Sequence, residues 1–521
     1  MDRREFLKAV AATAIVGQIE RIAASTVPPR RVEHNLVPDK PSGAPNYWCT
    51  WAVQNYMYGQ GEKTLDTTRL EGDSGGRIAH DAMSEKALLG TDGWASRFHS
   101  KVRGDLFLLL DDGWEVGGTA TFQLDPDKFP SFKGTPAERL GALNREAQRL
   151  GWSGAALWCR NTPGGAADDS LESQCSDAGI RYWKIDIGDP NFNLIRARNE
   201  RRIPLTLEHV HGEMPVNGDW KGDGRFGPQL WDSRRMQILR HTDVYRTYDV
   251  TSVLSLATTL DRVAELFNEA AGHADLCSLL NVEDEVYVAA VLGCTMGVMR
   301  HPLHGLRPGD DTDLFFNGPR RAKLRMDEVV RALRWQRIAA PFPCGFGRFQ
   351  RSDEILSDSW NFESGQTWQH ELLGTTVRQG APGVLARNID LPTVKATGDK
   401  AFVFAARFPN GAVAVGAQER TRPNRAWYMP SCEVTLNVGD EAGPFGIFGE
   451  YEGLVLTFGR SQRGKRVVAQ DLAGDVAFDI TSQVEFIGAS LHLSGSVLRQ
   501  VGLRNRTPGD ISSPGVVLAL V

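Results

Sequence analysis

The chain has 521 residues, 41% of them hydrophobic, and a formal net charge of -5. That length buries more core than one ordinary domain needs, so two domains are expected. The mildly acidic balance, with no concentrated basic surface, argues against nucleic acid as a partner.

The N-terminus reads as an address. Asp2-Arg3-Arg4-Glu5-Phe6-Leu7-Lys8 precedes the modestly apolar stretch Ala9 to Gly17, the pattern of a bacterial twin-arginine export signal, assigned here to residues 1–25. A periplasmic or otherwise exported protein is therefore expected. That stretch is too short to span a bilayer, and no other run approaches transmembrane length.

From about Asn46 to Pro343 apolar runs alternate with helix-like stretches. Strands are expected at Tyr47 to Trp51, Asp105 to Asp111, Gly154 to Cys159, Arg181 to Asp186, Ile203 to Glu208, Thr242 to Thr247, Leu276 to Asn281 and Gly293 to Met299. Helices are expected at Pro136 to Leu150 and at Leu260 to Ala271, the latter capped by Thr258 or Thr259. Arg196 to Arg202 reads as a solvated helix face. Strand and helix in alternation predict an α/β fold, a (β/α)8 barrel over residues 46–345, with an open doubly wound sheet as the weaker option. The long connection from Tyr56 to Arg103 implies extra structure over the barrel mouth. From about Phe349 the texture changes to short β-rich segments separated by turns such as Pro409-Asn410-Gly411. A C-terminal antiparallel β-sandwich over residues 350–521 is expected.

Two strand ends carry the chemistry. Asp105 to Trp114 closes an apolar run with Asp111 and Asp112, and Gly179 to Gly188 closes one with Asp186. A carboxylate ending a buried parallel strand is delivered to the barrel rim, where loops hold the chemistry. Tyr182, Lys184 and Asp186 alternate along one strand and share a face, so Lys184 is expected to favour the charged form of Asp186. An ionised carboxylate there suits the nucleophile of a retaining glycosidase. Asp249, where a later strand gives way to loop, is the candidate acid/base; Asp243 is the rival but precedes the apolar portion. Thirteen tryptophans fit sugar stacking or plain core packing about equally.

The order of these motifs resembles the melibiase, or α-galactosidase, clan of retaining glycoside hydrolases (families 27 and 36). The likeness runs over Tyr47-Trp48-Cys49-Thr50-Trp51, Asp111-Asp112-Gly113-Trp114, Lys184-Ile185-Asp186, Glu208, Arg246 and Asp249. It implies a barrel followed by a β-sandwich, Asp186 as nucleophile and Asp249 as acid/base. It implies substrate contacts from Trp51, Asp111, Asp112, Trp114, Lys184, Glu208 and Arg246, the doubled aspartate holding O4 and O6 of a galactose-like sugar. The sequence departs from the clan at the first strand, at Ala155-Ala156-Leu157-Trp158 on the third, and at Asn281-Val282-Glu283-Asp284 on the seventh.

The expected activity is thus exo-hydrolysis of terminal α-galactosides in an oligosaccharide or polysaccharide side chain, without a cofactor. β-L-Arabinopyranosidase and α-N-acetylgalactosaminidase are the alternatives within the clan. A Schiff-base aldolase using Lys184 and a non-catalytic sugar-binding protein are the alternatives outside it. No metal is expected: the acidic loops Asn217 to Gly224 and Gly309 to Asn317 lack full calcium-ligand spacing. His209, His211 and Glu213 read as subsite hydrogen-bonding groups rather than a metal cluster, and Trp220 and Trp231 as stacking candidates. The seven cysteines contain no Cys-x-x-Cys pair, and one bridge, Cys159 to Cys175, is left open.

Overall fold

Short runs rich in Val, Leu, Ile and aromatic residues, buried on both faces, are what a parallel sheet covered by helices requires. The computed structural model describes residues 30–32, 34–54, 79–118, 121–160, 169–186, 191–209, 220–221, 225–226, 233–247, 256–302, 324–361, 376–423, 426–440 and 443–521. The export signal and Asp249 lie outside them, as do His211, Glu213, Trp231 and nearly all of the two acidic loops.

The eight expected runs become one parallel eight-stranded sheet: β1 (Tyr47–Cys49), β2 (Phe107–Leu110), β3 (Gly154–Arg160), β4 (Tyr182–Asp186), β5 (Thr206–His209), β6 (Val244–Arg246), β7 (Leu279–Asn281) and β8 (Gly297–Val298). Neighbours in sequence are neighbours in the sheet, and β8 returns to pair with β1. A single parallel bridge between Asn281 and Thr295 spans the remaining gap beside β7. Helices follow the strands in turn: α1 (Pro136–Arg149), α2 (Asp169–Asp177), α3 (Phe192–Arg201), α4 (Ser233–His241), α5 (Leu256–Ala270), α6 (Val286–Leu292) and α7 (Met326–Gln336). The α1 helix starts where the sequence says it should. Thr135 and Glu138 form a reciprocal capping box, and Pro136 stands in the first turn.

Alternation along the strands sorts side chains between two layers. Tyr47, Cys49, Leu109, Ala156, Trp158, Tyr182 and Val244 fill the barrel interior. Trp48, Leu108, Leu110, Leu157, Trp183, Ile185 and Tyr245 pack outward, in the core the barrel shares with its helices. The two-residue period then fixes the direction of the polar residues: Asp111 is in phase with Leu109, Lys184 and Asp186 with Tyr182, and Arg246 with Val244.

The C-terminal region is a nine-stranded sheet facing a five-stranded one. Val403, Ala405, Val413 and Val415 of the first sheet share a core with Val434, Leu436, Leu454 and Leu491 of the second. The opposite face of the larger sheet, with Phe402, Phe404, Ala414 and Phe448, belongs to the barrel's core. Trp335 of α7 meets Phe408 and Phe448 there, at ring-centroid distances of 5.9 and 6.0 Å. Arg331 pairs with Asp471 across the same junction at 3.0 Å, both side chains fully buried. The strand Arg30–Val32 also joins this sheet, beside Ala477–Asp479.

Four expectations need correction. The β-domain is mixed rather than purely antiparallel: Val384–Arg387 runs parallel to Phe402–Arg407, Val413–Gln418 to Phe445–Gly449, and Glu433–Gly439 to Gly453–Phe458. Cys159 and Cys175 are buried free thiols, not a bridge. Thr258 and Thr259 lie inside α5, which begins at Leu256, so they are not its caps. Arg198 turns in from the basic face of α3, pairs with Asp243 and is 7% exposed.

Candidate active site

The C-terminal ends of the barrel strands bring the polar interior residues together, in layers set by the strand register. Lys184, Glu208, Val244 and Leu279 stand level on β4, β5, β6 and β7. Asp186 and Arg246 come two residues later, one interior layer nearer the mouth.

The lower layer is closed. Glu208 is fully buried, with one oxygen accepting from the Tyr47 hydroxyl at 3.2 Å and the other from the Tyr182 hydroxyl and the Asn281 amide, both at 2.7 Å. Burial first, and the Glu208 charge second, push both phenols up, so they remain protonated donors. Glu208 is therefore part of the floor beneath the mouth, its oxygens already serving protein donors.

Lys184 pairs with Asp111, not Asp186, at 2.8 Å. The same Asp111 oxygen accepts from the Cys49 thiol at 3.0 Å, and its other oxygen accepts from the Asp112 amide at 2.9 Å. Burial, the largest influence, pulls the Lys184 ammonium down, but Asp111, Cys49 and Glu283 together outweigh it and the ammonium stands above its ordinary value. The Cys49 thiol is pushed well up by burial and then by Asp111. The group next to Asp186 is instead Arg246.

An Arg246 nitrogen stands 3.0 Å from Asp186 Oδ1, and the Trp158 indole donates to Asp186 Oδ2 at 3.2 Å. The same guanidinium lies 3.9 Å from Glu208 and 3.7 Å from Glu283. It is thus a buried cation ringed by three carboxylates, a setting in which each charge depends on the others. Asp186 retains some exposure, with 14% of its side chain accessible, and a carboxylate held by two donors and facing the mouth can act as nucleophile or anchor for a substrate.

Glu283 is the site residue that sequence reasoning undervalued. It is fully buried and has a backbone φ of +46°, in the left-handed region that costs a non-glycine residue about 1–3 kcal/mol and clusters at functional sites. Two carboxylates just past a barrel strand were the available signal. The second, Asp284, instead accepts from the Met299 amide at 2.8 Å and pairs with Arg300.

Among the other expected site residues, Trp51 is half-buried and packs on the barrel interior. Asp112 is half-buried beside Asp111, with Gln54 donating to its carbonyl at 2.7 Å. Trp114 does not reach the site. It is fully buried against Phe122 in the outer layer, where its indole donates to the Trp158 carbonyl at 2.9 Å. His209, out of phase with Glu208, is fully buried, and among the described residues it joins no cluster that could hold a metal. Asp243 lies at the start of β6 on the far side of the barrel, held by Arg198 and donated to by the Leu207 amide at 2.8 Å. Among the described residues no group of three or more potential ligands could hold a metal ion, and no helix is long and apolar enough to cross a membrane.

Fold and site thus define a (β/α)8 barrel with a charged mouth, joined to a β-domain. No family model matches the chain, and no curated protein matches it. Among solved structures, it is similar to a Bacillus halodurans protein provisionally named an alpha-N-acetylgalactosaminidase, at 10% identity and TM-score 0.33, over 93% of this chain and 99% of that one. It is also similar to the carboxyl transferase domain of Rhizobium etli pyruvate carboxylase, at 14% identity and TM-score 0.27, over 60% of this chain and 54% of that one.

Proposed function

We propose that the protein is an exported retaining glycoside hydrolase that removes terminal α-galactosyl residues, or sugars of related configuration, by double displacement. The observation that carries this reading is Asp186, a partly exposed carboxylate at the tip of β4 held by Arg246 and Trp158. Its oxygen would bond to the anomeric carbon as the glycosidic bond breaks. Asp249, three residues beyond Arg246, would protonate the departing oxygen and then take a proton from the water that frees the sugar.

Both Asp111 oxygens already accept from protein donors, which leaves Asp111 a poorer acceptor for sugar hydroxyls than the resemblance implies. Lys184 is committed to Asp111 and stays protonated, which weighs against the Schiff-base reading, where a lysine must be driven down to become a nucleophile.

The test is a panel of chromogenic α- and β-glycosides of galactose, N-acetylgalactosamine, L-arabinopyranose and fucose, with proton NMR of the first-formed anomer. Turnover with retained configuration supports the proposal. No hydrolysis of any member, or an inverted product, rejects it. Export is tested separately, by replacing Arg3 and Arg4 with Lys and following the folded protein to the cytoplasm.

A further inference from the structure

Glu283 holds a backbone conformation that a non-glycine residue keeps only where its surroundings fix it. On its N-terminal side, Asn281 Oδ1 accepts from the Glu283 amide at 2.7 Å and from the Gly297 amide at 2.9 Å. On its C-terminal side, Asp284 is gripped twice by Arg300, which pairs with the carboxylate and donates to the Asp284 carbonyl at 2.6 Å.

Arg300 continues the chain of contacts outward. Its Nη1 reaches Glu328 at 3.1 Å and the Arg325 carbonyl at 2.8 Å. Glu328 in turn accepts from Arg325 Nε at 3.0 Å, and Arg325 Nη1 crosses to Glu419 of the β-domain at 2.7 Å. Trp427, also of the β-domain, lies under the Arg325 guanidinium, 4.7 Å from ring centroid to charge centre. Charges alternate along Asp284, Arg300, Glu328, Arg325 and Glu419, and every one of these residues is buried. In such a chain a change of charge or position at one member alters the hydrogen bonding and the field felt by the next.

We propose that the β-domain is a working part of the active site: Glu419, acting through Arg325, Glu328 and Arg300, positions Asp284 and with it the Glu283 carboxylate that faces Arg246. Glu419 is a positioning residue, remote from any substrate. Other ion pairs cross the same junction without reaching β7. Arg334, on α7, pairs with Asp475 at 2.7 Å and supplies the control. Only the kinetic arm of the test rests on the glycosidase reading.

The experiment compares full-length Glu419→Gln with Arg334→Gln. Hydrogen exchange followed by mass spectrometry on the peptide covering residues 279–292 is expected to quicken about tenfold in Glu419→Gln and to stay unchanged in the control, the size of effect a coupling through packed charges carries. With a turned-over glycoside, Glu419→Gln is expected to lower kcat with KM nearly unchanged. It should also displace the pH profile in the same direction as Glu283→Gln, and the double variant should go no further than Glu283→Gln alone. If Glu419→Gln does not fold, Arg325→Lys takes its place, keeping the charge while losing the planar fork. Exchange at residues 279–292 that matches the control overturns the proposal, as do additive effects in the double variant. Absence of any glycosidase activity rejects the proposed function instead and leaves the exchange arm readable.

Discussion

Asp186 and Arg246 meet at the barrel mouth, a carboxylate oxygen 3.0 Å from a guanidinium nitrogen, the arginine wholly buried and the aspartate side chain 14% exposed. The pairing joins β4 to β6 across strands that are not adjacent in the sheet. It also places the positive charge where three carboxylates converge, so Arg246 is a structural counter-ion and a candidate organiser of the chemistry at once. The two roles separate by substitution. Arg246→Met leaves Asp186, Glu208 and Glu283 without their shared cation and should destabilise the protein by about 3–5 kcal/mol, read as a shifted denaturant midpoint. Arg246→Lys keeps the charge but offers a point donor in place of a fork. It should stay folded while losing about 10- to 100-fold in kcat. Full activity in Arg246→Lys would show that Asp186 does not depend on this guanidinium.

A second expectation concerns the nucleophile. A 2-deoxy-2-fluoro glycosyl donor of the right sugar should accumulate as an ester on the peptide containing Asp186, because fluorine slows both steps and a good leaving group restores the first. Intact mass and peptide mapping would locate it. An adduct on Glu283 would reassign the nucleophile one barrel strand beyond Arg246, and one on Asp111 would reject the arrangement altogether.

The layering of the site was legible, because residues two apart along a strand share a face. Glu208 and Arg246 entered only through the family resemblance, whereas Tyr182, Lys184 and Asp186 could be placed on one face from phase alone. Their partners could not. Lys184 reaches Asp111, 73 positions earlier in the chain, and such cross-barrel choices depend on strand tilt and stagger, which no local pattern records. Trp114 was expected at the site only through the family resemblance; it lies past the end of β2, and its indole turns outward to the Trp158 carbonyl. Parallel pairs in the β-domain were hidden for a related reason, since strand direction is set by the connection rather than by composition. Asp249 lies beyond what the structure describes, so its role still rests on its position in the sequence.

The Lys184–Asp111 pair gives a third test. Both side chains are at most 5% exposed, so Lys184→Met alone should cost about 3–5 kcal/mol by stranding the Asp111 charge. Adding Asp111→Leu should recover most of that loss, because two apolar side chains need no mutual compensation. Denaturant titration of the single and double variants measures the coupling. Borohydride should trap no carbonyl substrate on Lys184. A trapped adduct would revive the aldolase reading, and equal stability of the two variants would mean the pair is not the buried unit described.

If Asp249 is the acid/base, Asp249→Ala should harm substrates in proportion to how poor their leaving groups are. An activated aryloxide departs unprotonated, whereas a sugar alkoxide needs a proton, a difference of roughly 100- to 10,000-fold. Azide should restore rate and give a glycosyl azide of retained configuration. Equal damage to activated and natural substrates, with no response to azide, would remove Asp249 from the mechanism.

The last expectation concerns acid stability and a residue outside the site. His209 is fully buried, and among the described residues neither of its ring nitrogens has a hydrogen-bond partner. Burial first, then Arg198 and Arg246 nearby, lowers its pKa from 6.5 to about 3. Between those two values the unfolded chain binds a proton that the native protein refuses, so stability falls as pH drops through the window and is unaffected above it. At about 1.4 kcal/mol per unit, the loss by pH 4 is on the order of a few kcal/mol. His209→Phe replaces one planar ring with another and breaks no side-chain hydrogen bond of the described structure. The variant should match the wild type closely at pH 7.5 and surpass it increasingly from pH 6.5 down to pH 4. Urea midpoints across that range decide the matter: parallel curves for the two proteins would show that His209 takes up its proton in the native state, and that it is not buried neutral.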